Sequence, residues 1–340
     1  MTVVDRAHRS GACAAARRSE AQAALASVPA AHQRVLASAL RAPSAHNAQP
    51  WRIRLQPGPR YELHYDHHEY LPADPQDRDA YLCMGAFCET LALAAQMEGL
   101  AATVDLVLDR DGADLHVADV HLRPALGPDR LAAHLAARAT NRTRYTAEPL
   151  PATLIADLEA LGCTLVPTRQ VAPIVGRASM LSWQDRRFVA DLDAWIRRDP
   201  ASPDGMTPRQ LGLARYEWVA LRAAFRMGRL PAALARSYGA REVRLLREAP
   251  GVAVLNARSD QPADLVEAGR RLLRAWVSIC ATGFGYHPIS VAIDREETRP
   301  QIAALAGTTG TPVALFRIGR PTGPAGASNR VQLTDVILPR

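Results

Sequence analysis

The pattern of apolar positions changes its period between residues 35 and 55. From Val35 to Leu40 the apolar residues have helical spacing, and this pattern has to end near Ala42 because the residue before a proline is driven out of the α region. After Pro50 the sequence Trp-Arg-Ile-Arg-Leu alternates apolar and basic residues, which is the period of a half-buried strand. The pattern therefore predicts a helix, a loop and a strand in this order.

The same two periods predict further elements along the chain. Short turns rich in Gly, Pro and Asp join the first predicted strand to the second and the third to the fourth, which favours two hairpins. Residues 198–208 contain three prolines and a glycine, so a continuous helix cannot run through them. Strands are predicted at 51–55, 61–65, 102–108, 115–122, 252–255 and 312–318, and helices at 74–99, 154–161 and 262–282.

Composition indicates a globular protein. With 340 residues and 48% hydrophobic content the chain can bury a substantial core, and no run of about 18 uncharged apolar residues indicates a membrane span. The start of the chain lacks the apolar core of a secretion signal, so we expect a cytoplasmic protein without a membrane partner. The net charge of +7 comes from arginines scattered among Asp and Glu, so we expect no nucleic-acid partner.

Neither the cysteines nor the histidines have the spacing of a metal site. The chain has five cysteines, without a Cys-x-x-Cys pair or the density of a disulfide framework. His64, Asp66, His67 and His68 lie close together in the sequence. Neighbouring residues of a strand point to opposite faces, however, so these four side chains cannot all converge on one ion. We therefore predict no metal.

Residues 41–51, Arg-Ala-Pro-Ser-Ala-His-Asn-Ala-Gln-Pro-Trp, form the most distinctive segment of the chain. Two prolines limit its freedom, and Ser44, Asn47 and Gln49 present one hydroxyl and two carboxamides between two regular elements. These groups suit a partner that carries both donors and acceptors, such as the edge of an oxidised flavin ring. The alternative is an ordinary connection in which Ser and Asn bond their own backbone.

The sequence APSAHNAQPW resembles the flavin-facing loop of the nitroreductase superfamily, and most resembles its branch of mycobacterial dormancy-associated Acg-like proteins. Residues 138–145, Arg-Ala-Thr-Asn-Arg-Thr-Arg-Tyr, resemble the basic start of an ordinary nitroreductase. In that family the two segments belong to different subunits of a dimer and hold one flavin between them. The resemblance thus implies two fused nitroreductase-like halves, one FMN per chain, and either a monomer or a homodimer.

This resemblance implies an α+β fold, a mainly antiparallel sheet with helices on both faces, arranged as a pseudo-dimer within one chain. The expected divisions are an N-terminal extension at 1–29, a first half at 30–137 and a second half at 138–340. Residues 198–240, named here the lid segment, match the position of a lid over the flavin in the Acg-like branch. The alternative is a surface excursion with no catalytic part.

The resemblance also implies which residues contact FMN. The planar fork of an arginine can bind two phosphate oxygens, whereas an arginine taken singly is more often a solvated surface charge. The turn after residue 282 resembles the segment that faces flavin N5, but it lacks the acidic residue and following glycine often seen after its proline. The implied contacts are Arg138, Thr140, Arg142 and Arg330 at the phosphate, Pro43, Ser44, Asn47 and Gln49 beside the ring, and Pro288, Ile289 and Ser290 at N5.

In this family the flavin carries out the chemistry, so no side chain is expected as acid or base. The implied reaction passes hydride from NAD(P)H through FMN to a small organic substrate such as a nitro compound, a quinone or an activated C=C or C=N compound. Two alternatives stay open. One is a protein that stores FMN under a closed lid with little turnover, and the other is a flavin-dependent dehydrogenase or oxidase acting on a biosynthetic intermediate.

Overall fold

A computed structural model describes residues 11–66, 74, 76–111, 114–125, 127, 129–213, 215–307 and 310–338. All strand pairings within sheets among these residues are antiparallel, and helices surround them, so the α+β prediction is confirmed. The strands are β1 Trp51–Leu55, β2 Arg60–Asp66, β3 Leu100–Asp111, β4 Asp114–Pro124, β5 Cys163–Leu165, β6 Gly251–Ala257, β7 Gly285–Pro288 and β8 Thr311–Gly319. The helices are α1 Gly11–Ala26, α2 Ala30–Ala39, α3 Arg78–Met97, α4 Ala152–Ala160, α5 Thr168–Gln184, α6 Arg186–Trp195, α7 Arg215–Met227, α8 Ala232–Arg247, α9 Pro262–Ala281, α10 Val291–Asp294, α11 Arg299–Ala306 and α12 Leu333–Val336.

Most predicted elements lie where the apolar pattern placed them. β1 and β2 form the first predicted hairpin, and β3 and β4 form the second. The helix predicted at 74–99 is α3, which begins at Arg78. Two helices that the pattern did not predict, α5 and α6, occupy the chain before the lid segment, while the lid segment itself begins with turns and continues into α7 and α8.

The strands form two sheets rather than one. The first sheet has the order β1-β2-β4-β3, and the second has the order β5-β6-β8-β7. A helix of 20 residues connects the second and third strands of each sheet, α3 in the first and α9 in the second. If the strands of each sheet are numbered one to four along the chain, both sheets have the order 1-2-4-3. In both, the long helix lies between the second and the third strand.

The two long helices touch each other through glycines at equivalent positions. Gly85 and Gly269 are each the eighth residue of a 20-residue helix. A Cβ atom on Gly85 would lie 1.9 Å from the carbonyl oxygen of Val266, and one on Gly269 would lie 2.2 Å from that of Leu82. Val266 and Leu82 are in turn the fifth residues of α9 and α3. The helices thus cross backbone to backbone, with each contributing the same two positions.

This crossing lies inside the largest hydrophobic core, which includes residues of both sheets. By length and composition α3 could cross a membrane, but 78% of its most apolar window is buried inside the protein. Helices α2 and α9 and strand β3 pack against it. Its apolar surface is therefore part of the core that joins the two sheets.

Candidate functional site

The loop between α2 and β1 has an unusual backbone. His46, Asn47 and Gln49 have φ angles of 50°, 59° and 55°, a left-handed conformation that residues other than glycine rarely adopt. Each such residue costs on the order of 1–3 kcal/mol, and the conformation persists only where surrounding contacts determine it, often at ligand sites. Ser44 is part of that support, because its Oγ accepts a hydrogen bond from the backbone N–H of Gln49 at 3.0 Å.

The two carboxamides of the loop bind segments that are remote in sequence. Asn47 donates from Nδ2 to the carbonyl oxygens of Gly205, at 3.1 Å, and Asn329, at 3.2 Å. Gln49, only 1% exposed, donates to the carbonyl oxygen of Pro203 at 2.8 Å and accepts from the backbone N–H of Val331 at 3.1 Å. The lid segment and residues 320–338, named here the C-terminal tail, are therefore both hydrogen-bonded to the loop.

Arg330 lies where the tail meets the loop, and the Nε atom of its guanidinium is buried. Its NH1 donates to Asn47 Oδ1 at 2.9 Å, whereas its Nε is buried and has no hydrogen-bond partner among the described residues. Burial, together with the positive charges of Arg138 and Arg41, lowers the pKa of Arg330 to about 10. A buried cation beside two others, with one donor unused, is an environment that an anion would stabilise.

Arg138 reaches the same place from the other side of the site. Only 7% exposed, it donates from NH2 to the carbonyl oxygen of Arg41 at 2.9 Å and from NH1 to the hydroxyl of Tyr286 at 2.6 Å. Thr140 forms a backbone bridge with Tyr286 and a side-chain hydrogen bond to it. The ring of Tyr286 stacks on Trp276 with centroids 4.5 Å apart. The basic segment 138–142 and the loop 41–49 thus converge at Arg41, Arg138 and Arg330.

Arg142 contacts the lid segment and interacts with Tyr286, the residue that also binds Arg138. Its NH1 donates to the carbonyl oxygen of Gln210 at 3.3 Å, and burial lowers the pKa of its guanidinium. Glu242 lies near it in a site whose burial raises the pKa of the carboxyl group, and the charge of Arg142 helps to lower the pKa of the buried His287. The structure therefore places Arg138 and Arg330 together, and it links Arg142 to them through Tyr286 while bonding it to the lid segment. The phosphate contact of Arg142 stays a prediction.

The sequence analysis missed Arg317, which positions the basic segment. Arg317 is fully buried in β8 and lies 4.1 Å from the ring centroid of Tyr145. Its Nε donates to His287 Nδ1 at 3.2 Å, and its NH2 donates to the carbonyl oxygen of Thr143 at 2.8 Å. A single arginine inside the apolar strand 312–318 was the signal that could have identified it.

The residues predicted at flavin N5 follow directly on β7. Pro288 is the last residue of β7, and Ile289 is 5% exposed within the hydrophobic core around α5 and β6. The backbone N–H of Ile289 donates to Leu315 at 2.7 Å, and Ser290 precedes α10. Within the described part of the chain, no hydrogen bond joins these residues to Asn47. Their contact with a flavin stays a prediction, as does that of Pro43.

Known proteins are similar in sequence to this chain over most of its length. No protein-family model matches. A Mycobacterium tuberculosis protein with the provisional name NAD(P)H nitroreductase is 28% identical over 299 residues, covering 84% of this chain and 83% of that protein. The NAD(P)H nitroreductase PigM of Serratia sp., also provisionally named, is 24% identical over 314 residues, covering 82% and 85%.

Among solved structures, the FMN and NADPH-dependent nitroreductase NfnB of Sphigopyxis sp. strain HMH is 17% identical and covers 62% of this chain and 98% of its own. Its TM-score of 0.36 is too low to support a conclusion about this chain. The inference about this chain therefore depends on the two relatives named above and on the geometry of the site. Over more than four fifths of its length, this chain is similar to proteins named NAD(P)H nitroreductases.

Proposed function

We propose that this chain is an FMN-dependent oxidoreductase of the nitroreductase type, passing hydride from NAD(P)H to a small organic substrate with a nitro, quinone or activated C=C or C=N group. Two relatives that cover most of the chain are named NAD(P)H nitroreductases. The loop and the basic segment that resemble the flavin-binding segments of that superfamily also converge in space. Hydride transfer would be supplied by the bound flavin itself.

The single observation that carries the proposal is the environment of Arg330. Its Nε is buried and unpartnered among the described residues, and Arg138 and Arg41 add positive charge to its surroundings. The phosphate of FMN carries close to two negative charges and several acceptor oxygens. Such a group would satisfy the free donor and reduce the repulsion between the arginines. The residues present therefore fit the phosphate end of FMN.

The other predicted residues have supporting parts in this proposal. Asn47 is already bonded to Arg330, so it links the anion-binding cluster to the strained loop. Gln49 and Ser44 use their polar atoms within the protein, which makes them positioning residues for the loop. Thr140 and Tyr286 fix Arg138 in place. None of these residues is assigned proton transfer.

We further infer that the chain consists of two related halves, at 30–137 and 138–340. The shared strand order of the two sheets and the equivalent glycines at the crossing of α3 and α9 support this division. The loop that precedes the first sheet runs from residue 40 to residue 50, whereas the corresponding connection before β5 has only residues 161 and 162. Since the second half lacks a counterpart of the loop, we infer one FMN per chain.

A second candidate function, storage of FMN, is favoured by one observation. The lid segment is bonded to both carboxamides of the loop, through the carbonyl oxygens of Pro203 and Gly205. A lid fastened in this way would exclude substrates from a flavin beneath it. Anaerobic mixing of the flavin-loaded protein with NADPH separates the two candidates. Loss of the flavin absorbance supports the reductase, and an unchanged spectrum supports storage.

The test of the cofactor site compares two arginine variants in the tail. Purified protein is expected to contain one FMN per chain, and Arg330→Gln is expected to weaken its retention by about 1.5–3 kcal/mol, or roughly 10-fold to 150-fold, if a charge-assisted bond is lost. Arg320→Gln is the matched control, because Arg320 lies in the same tail but pairs with Glu148 on the surface. Equal FMN retention by both variants would remove Arg330 from the site.

A further inference from the structure

Two histidines face each other across the first sheet. His64 on β2 and His116 on β4 are partners in the strand register, beside an irregularity where the register shifts. Their rings stack with centroids 4.7 Å apart and an angle of 17° between the planes. The predicted neighbours of His64 do not join it, because Asp66 pairs with Arg52, and His67 and His68 lie outside the described residues.

Two carboxylates accompany the histidine pair. His64 Nε2 lies 3.1 Å from Glu62 Oε2, and His116 Nε2 lies 2.9 Å from Asp119 Oδ1. The possible ligand atoms of Glu62, His64 and His116 all lie within 4.8 Å of one another. The His64 side chain is 7% exposed, and those of Glu62 and His116 are 19% and 24% exposed. The group is thus a half-buried cluster of two imidazoles and a carboxylate, with a second carboxylate at its outer edge.

The chemistry of this cluster suits a divalent transition ion. The ring nitrogens of His64 and His116 and the carboxylate oxygens of Glu62 lie close enough together to be drawn onto one ion. Two imidazole nitrogens with carboxylate oxygens form a ligand set typical of Zn²⁺, at bond lengths of about 2.0–2.2 Å. Mg²⁺ and Ca²⁺ prefer all-oxygen sites, which this cluster does not offer.

Binding requires two local movements. Parallel imidazole rings cannot both aim a nitrogen at one ion, so one ring has to turn out of the stack. His116 is the more exposed of the two and has room to do so. Arg54 also has to release Glu62 Oε2, which it now holds at 3.0 Å, and its side chain is 39% exposed and can turn towards solvent. Gln56 continues to hold the other oxygen of Glu62.

We propose that Glu62, His64 and His116, with Asp119 as a fourth ligand, form a binding site for Zn²⁺ that fastens β2 to β4. The site lies in the first sheet and shares no residue with the proposed flavin site. Its ligands come from two neighbouring strands, so the ion stabilises only the paired state of the sheet. The role is therefore structural, and binding of the metal is independent of flavin chemistry.

The test titrates the metal-free, full-length protein with Zn²⁺ against a chromophoric chelator. One ion per chain is expected for the natural sequence, and His116→Gln is expected to weaken binding by about 100-fold or more, because losing a ligand costs at least as much as losing its supporting partner. His121→Gln is the matched control, since His121 lies on the same strand, paired with Arg60 at the far end of β2. It should leave the affinity unchanged.

A second readout does not depend on the affinity. Zn²⁺ should raise the thermal unfolding midpoint of the natural protein and of the His121→Gln variant, and it should leave that of Glu62→Gln and His116→Gln nearly unchanged. Circular dichroism and FMN content verify that the variants fold. The proposal is overturned if the natural protein binds no Zn²⁺ or if the double variant His64→Gln/His116→Gln binds it with full affinity, since the ion would then be held elsewhere.

Discussion

Replacing Gly85 with alanine places a methyl group at the tightest contact between the two long helices. The added Cβ would lie 1.9 Å from the carbonyl oxygen of Val266, a backbone atom that cannot rotate away, so the helices have to separate locally by about 1 Å. Overpacking of this kind costs about 1–3 kcal/mol, whereas alanine in a helix interior gains about 0.5–1 kcal/mol over glycine. We expect a net loss of about 1 kcal/mol.

The assay is thermal unfolding, in which a loss of this size lowers the midpoint by roughly 1–2 °C, because the entropy of unfolding is about 2.1 cal/mol/K per residue and grows with chain length. Gly269→Ala should have a similar effect, because its Cβ would lie 2.2 Å from the carbonyl oxygen of Leu82. Once one methyl group has separated the helices, the second should cost less, so the double variant should lose less than the sum of the single losses. Gly127→Ala is the control, since no atom of the described residues lies within 4 Å of its added Cβ.

A stabilised or unchanged Gly85→Ala variant would refute the close crossing of α3 and α9. Fully additive losses in the double variant would refute the idea that both glycines serve one contact. The crossing also connects the half that carries the loop to the half that carries Arg138. Separation of the helices is therefore expected to weaken FMN retention as well, and measurement of bound flavin in the same samples checks this second consequence.

Three further predictions follow from single side chains. Burial and the charges of Arg142 and Arg317 hold the pKa of His287 far below 6.5. Protonation of His287 therefore favours the unfolded state, and the free energy of unfolding should fall by up to about 1.4 kcal/mol for each pH unit below pH 6.5. His287→Gln should reduce this slope, measured by denaturation at several pH values. Arg317→Met leaves the carbonyl oxygen of Thr143 without its donor and should cost about 2 kcal/mol in urea denaturation. Gln49→Ala removes one of the bonds that hold the lid segment to the loop and should accelerate limited proteolysis at residues 199–213, with the folded core resistant.

Local chemistry was sufficient to predict many of the elements. Proline stops α2 and frames the loop, and strict alternation marks β1, because both effects act within a few residues of their cause. The loop was also recognisable from its own residues. The sequence could not show how its polar groups are used, since Gln49 bonds to Pro203 and Val331, which lie 154 and 282 residues away.

The sequence also could not show which residues face each other on neighbouring strands, because such partners are remote in sequence. The prediction of no metal considered His64 with its sequence neighbours, whereas the structure pairs it with His116 across a shifted register. A register shift changes which side chains face each other, and no local signal in β2 specifies a partner in β4. Arg317 stands out as an arginine in an apolar strand, but its contacts could not be predicted, because Arg142 and Thr143 lie more than 170 residues away.

The strain in the loop and the repulsion among the arginines both destabilise the same region of the protein. Three left-handed residues and three neighbouring arginines both raise the free energy of this region, and bonds from the lid segment and the tail hold it in place. A sequence selected only for stability would relax both features. Their coexistence at Asn47 and Arg330, which are bonded to each other, supports our proposal that an anionic ligand stabilises this region upon binding.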